Sequence, residues 1–204
     1  MRLHELRKEP LTDFRGFLKN INANGYGTDL LDIEAYFSQR GFKMEGEGSF
    51  GIVMSHPKLD YVIKIFDMSD AGYINFVKHA KASRSKHFPV FIGSPKKVSK
   101  RWAAIRMEKL NRFNDYDVAK SMSYLNNYIR LYHEGRMSSQ QVKDAMDSVK
   151  DDIPKSLMLA IFSLGKNQNE RTADLRMDNI MQRDNGDIVI TDPWVYYEGI
   201  IRDD

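Results

Sequence analysis

Asp174-Leu-Arg-Met-Asp-Asn179 is followed, thirteen residues past Asn179, by Asp192 in Ile190-Thr-Asp-Pro193. A carboxylate stands five residues before an amide, and a second carboxylate comes after a short apolar–turn–apolar stretch. Asn185-Gly186 lies between Asn179-Ile-Met-Gln182 and Ile188-Val-Ile-Thr191. Asn-Gly between apolar runs predicts a β-hairpin, because both residues tolerate the positive φ of its turn. The tail must therefore fold as an antiparallel pair, with Asn179 at its entrance and Asp192 just past its exit. Asp184-Asn-Gly-Asp187 does not read as a calcium loop, since the EF-hand spacing and its closing Glu are absent.

Upstream, the rhythm of apolar residues changes twice. Leu11, Phe14, Phe17, Leu18 and Ile21 recur at helical spacing. Asn22-Ala-Asn-Gly-Tyr-Gly27 breaks that pattern, and Thr28 is the expected cap of a second helix ending near Gly41. Short apolar runs then predict strands at 42–44, 52–54, 61–66, 88–93 and 101–107. A helix from Ser69 or Asp70 to about Ala82 interrupts them. Past Glu108 the spacing turns helical again over 115–134, 138–150 and 153–166, with Ser138 and Ser139 as caps. The expected fold is α+β and bilobal. Residues 1–40 form a helical extension, 41–108 a small lobe with a five-stranded antiparallel sheet, and 109–204 a mainly helical lobe.

Two further motifs lie in the small lobe. Gly46-Glu-Gly48-Ser-Phe-Gly51-Ile-Val53 has the pattern G-x-G-x-x-G-x-V. Glycines let backbone N–H groups approach phosphate oxygens without a Cβ in the way. Here the pattern joins two strands rather than opening a helix, which argues against a dinucleotide-binding fingerprint. Lys64 stands inside Val62-Ile-Lys-Ile65, where a charge is costly unless it is paired. The phosphates of a nucleotide would supply that pair.

Composition narrows the classes. With no cysteine, disulfides and thiolate metal sites are excluded. The five histidines are scattered and lack metal-protease spacing, and no G-x-S-x-G nucleophile elbow occurs. Met1–Pro10 has no apolar core, so it does not read as a secretory signal. No apolar run approaches the length of a membrane helix. The net charge of +3 hides an asymmetry: residues 48–107 hold eleven Lys/Arg against three Asp. Such a segment suits nucleic acid or an acidic protein surface, but it is read first as a solvated face near a polyphosphate site.

From Gly41 to Pro193 the chain resembles the protein-kinase-like superfamily. It is most similar to the early Ser/Thr protein kinases of T7-like bacteriophages, through Gly41-Phe-Lys-Met44, Ser55-His-Pro57, Val62-Ile-Lys64, Asn179-Ile-Met181, Asn185-Gly-Asp187 and Ile190-Thr-Asp-Pro193. The resemblance implies an ATP- and Mg²⁺-dependent kinase in the host cytoplasm. It would phosphorylate host proteins, including transcription and RNA-processing machinery, and help to shut off host gene expression. It implies Gly46, Gly48, Ser49, Gly51, Val53, Lys64, Glu108 and Leu110 at the nucleotide, Asn179 and Asp192 at Mg²⁺, and Asp174, Arg176 and Lys64 in catalysis. Nucleic acid is not the favoured partner, and no membrane role is expected.

The chain departs from ordinary kinases at several points. No Glu lies between Glu47 and Glu108 to pair Lys64, which leaves Asp67 or Asp70 as substitutes. Thr172-Ala173 stands where His-Arg precedes the catalytic Asp, and Pro193-Trp194 where Phe-Gly follows the metal Asp. With so little chain after Asp192, regulation by an activation loop is not expected. Two other functions fit less well: a degenerate kinase fold that binds and inhibits a host factor, and a small-molecule phosphotransferase.

Overall fold

A computed structural model of the chain describes residues 14–23, 25, 29–48, 50–149, 153–165, 171–173 and 175–196. The fold is α+β, with a five-stranded antiparallel sheet and six α-helices among the described residues. The chain divides into two compact units. One runs to Asp70 and includes Val90–Lys109; the other comprises Ala71–Pro89 and the chain from Leu110.

In the first unit, α1 (Phe14–Ala23) and α2 (Leu30–Ser38) precede the strands β1 (Lys43–Gly48), β2 (Gly51–Ser55), β3 (Tyr61–Asp67), β4 (Phe91–Lys97) and β5 (Trp102–Glu108). The sheet order is β1-β2-β3-β5-β4. β3 is central and almost wholly apolar, and it is buried along its length except at half-buried Lys64. β1, at the edge, is exposed throughout. Phe17, Leu18 and Ile21 of α1 and Ile33, Tyr36 and Phe37 of α2 are buried in one cluster with Ile52, Met54, Ile63, Ile65 and Ala104 of the sheet. The two helices thus cover one face of the sheet. Burial of six such side chains contributes on the order of 10 kcal/mol before entropy is counted.

Three boundaries differ from expectation. Asp29, not Thr28, caps α2: its backbone is extended and its side chain accepts from the Leu31 N–H at 3.1 Å. Thr28 itself lies outside the described residues. β4 begins at Phe91 rather than residue 88. The expected loop 45–51 is mostly ladder, because β1 runs to Gly48 and β2 resumes at Gly51.

The second unit holds α3 (Ala71–Ser83), β6 (Asn111–Arg112), α4 (Tyr116–His133), α5 (Ser139–Val149), α6 (Lys155–Gly165), β7 (Arg171–Ala173), a 3₁₀ turn at Met177–Asn179, β8 (Ile180–Gln182), β9 (Ile188–Ile190) and β10 (Trp194–Tyr196). The helix α3, read from sequence as an interruption of the first sheet, belongs to this unit. Its Phe76 and His79 rings lie 6.1 and 5.8 Å from the Trp194 ring. α4 is capped by Asp115 and buries Ala119, Met122, Leu125 and Ile129 along one stripe. α5 opens on a capping box: the Ser138 N–H donates to Gln141 Oε1 at 2.9 Å, and the Gln141 N–H donates back to Ser138 Oγ at 3.3 Å.

The segment Lys86–Phe88 is laced to the β8–β9 hairpin. The Ile190 N–H donates to the His87 carbonyl at 2.9 Å, Arg183 donates to the Lys86 and Phe88 carbonyls, and Lys86 pairs with Asp187 at 2.6 Å. The His87 ring is buried. Its Nδ1 lies 2.8 Å from the Ile188 carbonyl, so it carries the proton and donates; its Nε2, 2.8 Å from Ser156 Oγ, then accepts. Burial holds the His87 pKa below the ordinary 6.5, with the Lys86 and Arg183 charges acting in the same direction. Burial lowers His79 as well.

A histidine whose folded pKa is depressed stabilises the fold above its unfolded pKa, and that contribution is lost as pH falls toward the folded value. The unfolding midpoint is therefore expected to level off above about pH 7 and to drop as pH falls below about 6.5. Thermal denaturation across that range checks this. A His87→Gln variant should be less stable at neutral pH but should show a flatter slope.

Candidate functional site

The glycine motif is a tight hairpin. Gly48 pairs with Gly51, and the register slips between Met44 and Gly46, leaving Glu45 as a bulge whose carboxylate accepts from Ser55 Oγ. Ser49 lies outside the described residues; its neighbour Phe50 is exposed. The three glycines are not equivalent. A Cβ on Gly51 would stand 2.0 Å from the Ile65 carbonyl oxygen, so the close approach of β2 to β3 demands glycine there. A Cβ on Gly46 or Gly48 would meet no described atom within 4 Å. Strand packing thus accounts for one glycine and leaves the backbone at the other two open to a ligand.

Lys64 pairs across the sheet with Val53 on one side and Ile105 on the other. Ile63 and Ile65 face the core under α1 and α2, so strand alternation turns Lys64 and Val53 to the opposite face. Both are half-buried. Asp67 does not serve as counter-ion to Lys64. Its carboxylate accepts from Arg101 Nε at 2.6 Å and from the N–H and Oγ of Ser69, each at 2.8 Å. Burial raises the Asp67 pKa, but these hydrogen bonds and the Arg101 charge outweigh burial and hold it below the ordinary range. Asp70, the other substitute considered, is buried just before α3. Glu108 closes β5: its N–H donates to the Val90 carbonyl at 3.0 Å, and its Oε1 accepts from the Val90 N–H at 2.7 Å. Leu110 follows, half-buried.

In the second unit the tail folds as expected. Ile180 pairs with Ile190, and Gln182 with Ile188, around Arg183–Asp187. The Asn179 carbonyl accepts from the Thr191 N–H at 2.9 Å and from Thr191 Oγ1 at 3.2 Å. Asn179 is thereby fixed opposite the residue that precedes Asp192. An amide and a carboxylate, both half-buried, sit at one end of a single hairpin. Arg176 occupies the position just before the 3₁₀ turn that ends at Asn179, with no capping bond from its side chain, and is exposed.

Asp174 lies outside the described residues. Its neighbours are placed: Ala173 pairs with Trp194, and buried Leu175 gives its carbonyl to Ser123 Oγ at 2.8 Å. Among the described residues, no three of His, Cys, Asp or Glu cluster as a metal site.

Sequence reading missed the residues that do the positioning: Thr191, Ser123 and His87. Only Thr191 carried a signal, as part of Ile190-Thr-Asp-Pro193. Among the described residues, no helix is long and apolar enough to cross a membrane. Compared with known proteins, the chain matches no family model and no curated protein sequence.

Proposed function

We propose that the chain is a Ser/Thr protein kinase of the phage type, transferring the γ-phosphate of ATP to proteins of its host and thereby redirecting host gene expression. The observation that carries this reading is the β8–β9 hairpin. It holds the Asn179 backbone against Thr191, with Asp192 as the next residue, and so brings an amide-bearing and a carboxylate-bearing residue to one end of a hydrogen-bonded pair. These are hard oxygen donors of the type Mg²⁺ takes from a protein, its remaining positions being filled by water and phosphate oxygens. When bound, the metal would neutralise charge on the transferring phosphate.

The first unit contributes in kind. Lys64 lies on the third strand and would meet phosphate oxygens as a point charge. Gly46 and Gly48 offer backbone with no Cβ to keep a phosphate away. Val53, beside Lys64 in the same cross-strand row, would give the nucleotide base an apolar surface. Asp174 would orient the acceptor hydroxyl and take its proton, and Arg176 would reach the transferring phosphate. In such a loose transition state, positioning and charge supply most of the rate.

Asp174→Ala tests the assignment of roles. Transfer to protein is expected to fall by roughly 10³-fold, while Mg·ATP affinity, read by calorimetric titration, changes by less than about threefold. Transfer at the wild-type rate in that variant would remove Asp174 from the mechanism.

A further inference from the structure

We propose that the concave pocket between α1 and the β4–β5 turn is a docking site for an acidic polypeptide segment, one in which Asp or Glu alternates with apolar side chains. The pocket has a volume of about 610 Å³ and lies wholly within the first unit. Arg15 and Lys19, one helical turn apart on α1, flank one side, and Lys96, Lys97 and Lys100 flank the other. All five are exposed, and none forms an ion pair with another described residue. Like charges gathered in a concave, low-dielectric wall repel one another and focus a field that an anion relieves.

Two features select a peptide over nucleic acid. The apolar surface offered in the pocket is half-buried Pro95, with Leu18 and Val98 buried beneath it, and it suits a small aliphatic side chain between the carboxylates. Among the described residues no aromatic side chain lines the pocket, so they offer no stacking platform of the kind with which proteins hold single-stranded bases.

The turn that presents the lysines is also held rigid. The Val98 and Ser99 N–H groups donate to the Trp102 carbonyl at 2.8 and 3.1 Å. Ser99 Oγ accepts from the Arg101 and Trp102 N–H groups at 3.3 and 3.2 Å. Arg101 is drawn aside by its 2.6 Å pair with Asp67, so the cationic rim is set without it. Such pre-organisation lowers the ordering cost of binding.

Fluorescence anisotropy with a fluorescein-labelled peptide of alternating Glu and Leu tests the assignment without any phosphate transfer, so it stands or falls apart from the kinase reading. Wild-type protein is expected to bind the peptide. Affinity should fall at least about tenfold in the Lys96→Glu/Lys97→Glu/Lys100→Glu variant, and steeply as salt is raised through about 0.3 M. The milder Lys96→Gln/Lys97→Gln variant should show an intermediate loss at an unchanged unfolding midpoint, which separates lost binding from lost folding. Equal affinity in wild type and both variants would overturn the proposal. So would displacement of the peptide by a short RNA or DNA duplex at a lower concentration than by unlabelled peptide, which would make the pocket a phosphate-backbone site.

Discussion

Asp192→Asn is expected to reduce ATP-dependent phosphate transfer by roughly 10³-fold, with an unfolding midpoint within about 2 °C of wild type. The change removes one unit of negative charge and leaves the shape almost intact. The bonds that join Asn179 to Thr191 do not run through the Asp192 carboxylate. The bonds from Thr191 to the Asn179 carbonyl, the Ile180–Ile190 pairing and the buried Trp194 all remain. A carboxylate binds Mg²⁺ far more strongly than an amide does, so residual activity should need more Mg²⁺ than wild type. Initial rates across a Mg²⁺ titration, beside a thermal melt, read both effects. Full activity at the same Mg²⁺ requirement would show that Asp192 holds no metal.

Gly51→Ala is expected to destabilise the first unit by roughly 2–4 kcal/mol, lowering the unfolding midpoint by about 5–15 °C. The new methyl would meet the Ile65 carbonyl oxygen at 2.0 Å and the Phe66 Cα at 2.9 Å. Both are backbone atoms of the central strand, and a rotamer change cannot relieve the contact. β2 would have to move away from β3 and give up ladder bonds beside Lys64. Gly48→Ala provides the contrast, because a Cβ there meets no described atom within 4 Å. That variant should melt like wild type and lose nucleotide affinity instead. If Gly51→Ala proves as stable as wild type, the close approach of the two strands is wrong. If Gly48→Ala binds ATP unchanged, the glycine hairpin does not cover phosphate.

Much of the architecture was legible because local and long-range preferences agree. Tyr61–Phe66 and Trp102–Met107 are apolar runs bounded by turn residues, and they pair as neighbours in the sheet. Asn185-Gly186 marks its hairpin, and Ser138 with Gln141 marks the start of α5. The failures occur where several residues serve equally well or where the pairing partner is remote. Thr28 and Asp29 are both good caps, and sequence does not rank them.

β6, β7 and β10 are two or three residues long, too short for any periodic pattern. β6 exists only by pairing with β8, and β7 and β10 only by pairing with each other. Phe88 reads from sequence as the start of a strand, yet the carbonyls of Lys86, His87 and Phe88 are taken by Arg183 and by the Ile190 N–H of the distant hairpin. His87, in Ser85-Lys-His-Phe88, gives no hint that it joins that hairpin to α6 through Ser156. At the candidate site, the residue types and their order were readable. The contacts that fix Asn179 beside Asp192 came only with the fold.

Transfer of a phosphate from ATP to protein hydroxyl groups is read directly in one experiment. The purified chain is incubated with γ-labelled ATP and a bacterial lysate, with and without Mg²⁺, and the label is followed into protein and into small molecules. Acid-stable label is expected on protein serine and threonine, absent without Mg²⁺ and absent when Asp174→Ala replaces the wild type. Label confined to small molecules, or no labelling at all by a folded wild-type chain that binds ATP, would contradict such transfer.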